Sequence, residues 1–438
     1  MESIELLSIL IGILLVAAVS KRIRNTVITL PMLCMFLGLF VGLAFTEQVD
    51  ISHEDPVVHT IAELTLMIVL AVGASRIKLS SFSRDHNLPV RLLLIGLPLT
   101  IVIGTLLGAA MFKGLEFWAV AILAVILTPA DGDLAVSAIE NLKVPVRIRQ
   151  ALNIEGGVDD GFAMPFLLLF ISLAISMNVM YEREYFVLFA VKHILFGVLA
   201  GLVMGYLGAK YIDWGYRSGW MSSKFRKIGW LALVLLTFGF AEVLEGNGFV
   251  ATFVFGLISG SIISKSEIDT LDEFAEAENT LLMFITYMLF GMVMLAPALK
   301  HITPPMIIYA LLSLTIVRML PVAISMIGTK LKPITVLFMG WFGPRGITSI
   351  LFVLTMSGTE DIAGSEMIFG VAVTTIFFSV VAHGISAAPL AERYGVKISD
   401  LIQKGSALAE AIQVSEVPTR TRTLPVGSSP QDQPEALD

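Results

Sequence analysis

Residues 153–161 read Asn-Ile-Glu-Gly-Gly-Val-Asp-Asp-Gly, and they run straight into the apolar stretch 162–171, Phe-Ala-Met-Pro-Phe-Leu-Leu-Leu-Phe-Ile. Three acids, Glu155, Asp159 and Asp160, therefore lie within one apolar segment. A charged side chain at the centre of a bilayer costs about 2.5–3.5 kcal/mol on insertion scales. Glu155 and Asp159 are four residues apart and share a helix face, while Asp160 lies about 100° round from Asp159. Such a cluster is expected to bind a cation or a proton in competition.

The composition is that of an all-α polytopic membrane protein. Of its 438 residues, 56% are hydrophobic and 15% charged, against about 25% charged in a typical soluble domain. The mean hydropathy is +0.85. The start of the chain lacks the basic region of a cleaved signal peptide, so the first apolar stretch is expected to remain as a span. The single cysteine, Cys34, allows no disulfide or cysteine metal site within one chain. The expected surroundings are a lipid bilayer, with no resident cofactor and no nucleic-acid partner.

Windows of about 20 apolar residues predict thirteen transmembrane helices. Their approximate bounds are 4–20, 27–46, 57–75, 89–112, 115–139, 150–177, 185–212, 228–245, 247–264, 277–299, 304–328, 333–357 and 365–388. After about residue 389 the character changes, and residues 396–438 are predicted to be a largely disordered cytoplasmic tail. The transporter domain is predicted to cover 1–395.

The basic residues predict the orientation. Of the 29 Lys and Arg, 23 belong to the odd-numbered connections and the tail. The opposite side has three (Lys113, Arg183 and Lys300), and three more lie within spans (Lys192, Arg318 and Arg345). Basic residues concentrate on the cytoplasmic side, so the N-terminus is predicted outside and the C-terminus in the cytoplasm.

Two spans are interrupted by proline and glycine. The fifth contains Leu127-Thr-Pro-Ala-Asp131-Gly-Asp133, and the twelfth contains Gly340-Trp-Phe-Gly343-Pro-Arg345-Gly346. These residues disfavour an unbroken helix, and backbone freed at membrane depth must be buried or line a cavity. One such span in each half predicts inverted repeats, with the two broken helices crossing near the midplane. Alternatively, 128–133 is a loop between two short segments.

The charges in the breaks also have a physical rationale. Asp131 is able to face the partial positive charge of half-helix N-termini, and Arg345 the negative charge of C-termini. Arg318, well inside span eleven, needs a partner of its own. Glu155 and Asp159 are the candidates; the alternative is that Arg318 reaches out to a lipid headgroup. One arginine neutralises one carboxylate. If the ion pair is purely structural, at least one acid of the cluster is still not neutralised by it.

These motifs together resemble the bacterial sodium/proton antiporters of the NhaP type, in the cation/proton antiporter-1 family. The resemblance covers about residues 4–395. It implies a homodimer in which a core bundle, here 89–177 and 304–388, moves against dimerisation helices, here 4–75 and 185–299. It also implies that Asp160 is the essential aspartate, that Glu155 pairs with Arg318, and that the unwound residues 128–131, including Thr128 and Ala130, contact the ion.

The chain departs from the family pattern at four positions. Asp159 stands where the family usually has Asn, Ala130 where it has Thr, Gly132 where it has Pro, and Asp133 is an additional acid. With Asn before the essential aspartate, the cycle exchanges one proton for one monovalent cation. If Glu155 holds Arg318, Asp159 is able to release a second proton, because adjacent buried acids resist joint ionisation. The surrounding motif favours a one-for-one cycle.

The predicted function is therefore secondary antiport of Na⁺ (or Li⁺ or K⁺) for H⁺ across the cytoplasmic membrane, with no enzymatic reaction. Asp160, Asp159 and Glu155 are the predicted metal ligands, Asp131, Thr128 and Ala130 complete the ion site, and Arg318, Arg345 and Asp133 support it. Alternatives are a K⁺ or divalent cation/proton exchanger on the same scaffold and, more distantly, an intramembrane aspartyl protease.

Overall fold

The computed structural model describes residues 3–23, 26, 28–45, 52–75, 87–132, 134–178, 183–263, 280–359, 362–403 and 408–412. Within these ranges the regular structure is helical, with no strand. The helices are α1 Ser3–Ile23, α2 Leu30–Ala44, α3 Pro56–Ser75, α4 Asn87–Met111, α5 Phe117–Ile126, α6 Val136–Ile139, α7 Val146–Asn178, α8 Arg183–Arg217, α9 Ser223–Val243, α10 Gly248–Ile262, α11 Thr280–His301, α12 Pro304–Ser325, α13 Pro333–Trp341, α14 Ile347–Ser357 and α15 Ser365–Gln403.

The predicted all-α polytopic fold is confirmed. Each predicted span contains helix, and within the described part of the chain seven helices are long and apolar enough to cross a membrane: α3, α4, α7, α8, α11, α12 and α15. The full count of thirteen crossings stays a prediction, because several of the remaining apolar helices are shorter.

Both interruptions lie where proline and glycine predict them. α5 ends at Ile126 and α6 begins at Val136, while α13 ends at Trp341 and α14 begins at Ile347. Pro129 and Pro344 have no N–H to give to a helix. The four residues of α6 also show that the second half of span five is shorter than the apolar pattern suggests.

The helices pack in two groups. In the first, α10 packs against α3 and α8, α9 packs against α8 and α10, and α2 packs against α1 and α11. In the second, α5 packs against α4 and α7, while α12 packs against α4, α13 and α15. The groups meet where α3 contacts α7 and α14, and where α7 contacts α8 and α10.

The end of the chain differs from its predicted boundary. α15 continues to Gln403, past the expected end of the transporter domain at residue 395, and Ala409–Ala411 form a 3-10 turn. The division into a transporter domain and a tail stays a prediction. Residues 413–438 lie outside the described residues.

Candidate ion-binding site

The two unwound segments, 127–132 and 342–346, cross in contact with each other. The backbone N–H of Asp131 donates a 2.7 Å hydrogen bond to the carbonyl oxygen of Pro344. Ser349 Oγ donates a 2.7 Å bond to the carbonyl of Ile126, the last residue of α5. These bonds satisfy backbone groups that the breaks leave without helical partners.

Asp131 lies at the start of the opposite half-helix. Its Oδ2 accepts a 2.8 Å hydrogen bond from the N–H of Ile347, the first residue of α14, and a 3.0 Å bond from the hydroxyl of Tyr287. A carboxylate at a helix N-terminus is favoured by the helix dipole. Gly346 is required here, because a Cβ at this position would collide with the Asp131 carboxylate.

Arg345 lies at the end of the other half-helix. Its guanidinium is fully buried and donates from Nη1 to the carbonyl oxygens of Thr128 and Pro129, just beyond the end of α5. Its backbone N–H donates a 2.6 Å bond to Ser379 Oγ on α15. A cation at a helix C-terminus is likewise favoured by the dipole, so Asp131 and Arg345 each offset the charge of a broken end.

The acids of α7 are buried. Glu155, Asp159 and Asp160 are 1%, 2% and 4% exposed. Glu155 Oε1 lies 2.7 Å from Nη2 of Arg318, which is buried as well. Arg318 directly follows a wider π-helical turn, Ser313–Val317, in α12.

Asp159 approaches the unwound segment of span five. Its Oδ2 accepts a 3.3 Å hydrogen bond from the N–H of Ala130, and within the described residues its Oδ1 accepts none. α7 lies close to this segment because Gly156 faces Gly132, where a Cβ on Gly156 would come within 3.0 Å of the Gly132 Cα. The Thr128 hydroxyl donates to Ala124 within its own helix.

The three predicted acidic ligands differ in their contacts. Among the described residues no group of three or more His, Cys, Asp or Glu side chains is arranged to hold one metal ion. Glu155 is paired with Arg318, Asp159 accepts from the Ala130 N–H, and Asp160 is buried on the same helix. Asp133 lies outside the described residues.

Comparison with known proteins identifies the family. The model of the family described as "Sodium/hydrogen exchanger, transmembrane" matches residues 6–393. The chain belongs to the sodium/hydrogen exchanger family. It is 24% identical over 399 residues to the K⁺/H⁺ antiporter NhaP of Alkalimonas amylolytica. This match covers 89% of this chain and 67% of that protein. It is 24% identical over 433 residues to the Na⁺/H⁺ antiporter NhaG of Bacillus atrophaeus, which covers 91% of this chain and 78% of that protein.

The fold agrees with a solved structure of the same kind. The sodium proton antiporter MjNhaP1 from Methanocaldococcus jannaschii matches with a TM-score of 0.73 at 17% identity, covering 89% of this chain and 97% of that one. The predicted resemblance to NhaP-type antiporters and the predicted class of function, cation/proton exchange across a membrane, are confirmed.

Tyr287 is a residue of this exchanger's site that the sequence did not single out. Tyr287 of α11 is fully buried and donates to Asp131. Its only sequence signal is a hydroxyl within an apolar span, because a buried tyrosine usually finds a hydrogen-bond partner. The sequence does not say which partner.

A cavity of about 900 Å³ opens between the two helix groups of the exchanger, where α3 and α10 begin and α14 ends. Polar residues of both groups line it, among them Glu54, His59, Glu63 and Thr355. Below it, Leu351 and Leu354 of α14 pack near Ala62 and Phe290. Along α14, Leu351 and Leu354 lie between Ile347 at the crossing and Thr355 at the cavity.

Proposed function

We propose that the protein exchanges Na⁺, with Li⁺ or K⁺ as alternatives, for protons across the cytoplasmic membrane. The observation that carries this proposal is the pairing of Glu155 with Arg318 at 2.7 Å. Arg318 is thereby engaged with one acid. Two further buried carboxylates lie on the same helix: Asp159, which accepts a hydrogen bond from the Ala130 N–H in the broken segment, and Asp160. Two acids in a buried site are suited to hold either a cation or protons.

The chemistry follows from competition for oxygen. Asp160 binds the cation or a proton but not both, and Asp159 supplies a further oxygen beside it. Carboxylate and carbonyl oxygens are hard donors that suit hard cations. The unwound segment offers the backbone oxygen of Ala130, while that of Thr128 already accepts from Arg345. Asp131 and Arg345 hold the ends of the two interrupted helices in place while the cation and the proton replace each other.

Alternating access requires the two helix groups to move against each other. The proposed core is 89–177 with 304–388, and the proposed scaffold and dimerisation helices are 4–75 with 185–299. The polar cavity between the groups supports an access route to one side, with Leu351 and Leu354 as a barrier below it. In this proposal the protein is a homodimer with its N-terminus outside and its C-terminus in the cytoplasm.

The deciding experiment is proton flux in proteoliposomes, with Na⁺, Li⁺, K⁺ and Ca²⁺ added in turn. Proton release on addition of Na⁺ is expected, and Asp160→Asn is expected to abolish it while the protein stays folded. Glu392→Gln is the matched control, because Glu392 is exposed and pairs with Lys143 on the surface. Robust exchange by Asp160→Asn would overturn the assignment of Asp160.

A K⁺ or divalent cation/proton exchanger is the second candidate. The extra carboxylate at Asp159 favours it, and one relative in this family is a K⁺/H⁺ antiporter. A flux that responds to K⁺ or Ca²⁺ and not to Na⁺ would decide for it. An intramembrane aspartyl protease has less support, because Asp159 and Asp160 are adjacent on one helix rather than on two separate helices.

A further inference from the structure

The segment 408–412 folds back onto the end of the molecule where α7 and α13 begin. Leu408 and Glu410 are buried, whereas Ala411 and Ile412 are exposed. Glu410 is only 1% exposed. Glutamates are almost never fully buried unless they are paired or hydrogen-bonded, so the contacts of Glu410 indicate what this segment does.

Glu410 caps the start of α13. Its Oε1 accepts a 2.7 Å hydrogen bond from the backbone N–H of Lys332 and another of 2.7 Å from Thr335 Oγ1. Lys332 is the N-cap residue of α13 and makes no side-chain cap, since a lysine ammonium has no acceptor. Glu410 therefore supplies an acceptor and a negative charge where the helix needs both.

The same segment is bonded to α7. Arg147, in the first turn of α7, donates a 2.6 Å hydrogen bond from Nη1 to the carbonyl oxygen of Ala409. Leu408 belongs to a buried apolar cluster with Ile148 of α7, Phe338 of α13 and Tyr394 of α15. Five residues thus connect the starts of two helices that are far apart in the chain.

Both of these helices lead to the ion-binding site. α13 has nine residues and ends at Trp341, four residues before Arg345. α7 extends from its bonded first turn to Glu155, Asp159 and Asp160. A half-helix is held only by its packing and its ends, so a displacement at its start shifts the unwound segment at its other end.

We propose that Glu410 is a positioning residue of the ion-binding site. The segment 408–412 is a clip that holds the starts of α7 and α13 at a constant separation. It thereby sets the position of Arg345 relative to the acids of α7. The effect on transport rests on the proposed function, whereas the clip itself does not.

The test uses full-chain variants. E410A removes both hydrogen bonds and E410Q keeps an oxygen acceptor. T335V removes one donor to Glu410 and also the acceptor of the Tyr394 hydroxyl. E392Q is the matched control, an acid of α15 at the same end of the molecule that is exposed and pairs with Lys143. The measurements are the KM and pH profile of cation/proton exchange in proteoliposomes, and hydrogen exchange of residues 333–346 by mass spectrometry.

E410A is expected to raise the cation KM about tenfold, equivalent to about 1.4 kcal/mol, to shift the pH profile, and to speed hydrogen exchange through 342–346. E410Q should restore most of the wild-type behaviour, T335V should fall between, and E392Q should match the wild type.

An unchanged KM, pH profile and hydrogen exchange in E410A would overturn the proposal. If E410A does not fold, the same result in T335V overturns it. If the wild type showed no cation/proton transport, the proposed function would be refuted. The hydrogen-exchange measurement would still test whether Glu410 holds the starts of α7 and α13.

Discussion

The hydroxyl of Tyr287 donates a 3.0 Å hydrogen bond to Oδ2 of Asp131, the oxygen that also accepts from the N–H of Ile347. Tyr287 belongs to α11 in the first helix group, and Asp131 to the unwound segment in the second. The bond therefore joins the two groups at the broken-helix crossing. If the core moves against the scaffold, this bond breaks in every cycle.

Tyr287→Phe is expected to speed cation exchange. The substitution removes only the hydroxyl, and a net hydrogen-bond contribution of about 1 kcal/mol corresponds to about fivefold in rate. The control is Tyr309→Phe, because Tyr309 donates a 3.2 Å bond to the Gly104 carbonyl within the second group alone. Turnover measured in proteoliposomes should rise only for Tyr287→Phe. Equal turnover changes in both variants would show that the Tyr287 bond does not restrain the motion.

Glu155 and Arg318 are expected to be coupled in stability. Breaking a buried pair by removing one partner leaves an uncompensated charge and costs about 3–5 kcal/mol, whereas removing both should cost less than the sum. Thermal unfolding of Glu155→Gln, Arg318→Gln and the double variant measures this. Strict additivity would mean that Arg318 depends on another partner, Asp159 first.

Exchange is expected to move net charge in each cycle. The 2.7 Å pairing of Arg318 with Glu155 meets the condition under which Asp159 is able to release a second proton. It therefore revises the one-for-one cycle favoured by the motif alone. With the membrane potential clamped by K⁺ and valinomycin, Na⁺-driven proton flux should shift with potential. Asp159→Asn should remove this dependence on membrane potential and leave transport intact. A wild-type proton flux that does not depend on membrane potential would instead support one-for-one exchange.

The termini of the helices provide a test of orientation. Ser222, between α8 and α9, and His301, at the end of α11, are exposed. The basic-residue asymmetry predicts that they lie on opposite sides of the membrane. In a Cys34→Ala background, an impermeant thiol reagent should label Ser222→Cys from the cytoplasmic side and His301→Cys from outside. Labelling of both from one side would contradict the thirteen-span topology.

The sequence determined where helices form and where two of them break. Apolar runs of about 20 residues are long enough to cross a bilayer, and Pro129, Gly132, Gly343 and Pro344 disfavour helix within such runs. Buried charge is costly, so three acids within one apolar segment predict a functional site. The resemblance of these motifs to a known family indicated the class of function.

Only the tertiary structure decided which groups meet. The choice between Glu155 and Asp159 as the partner of Arg318 depends on how α7 and α12 are rotated about their own axes, and helical spacing leaves that rotation open. The contacts of Tyr287 with Asp131 and of Glu410 with the start of α13 join residues far apart in the chain. No local pattern specifies such contacts, because they arise from the packing of whole helices rather than from the preferences of neighbouring residues.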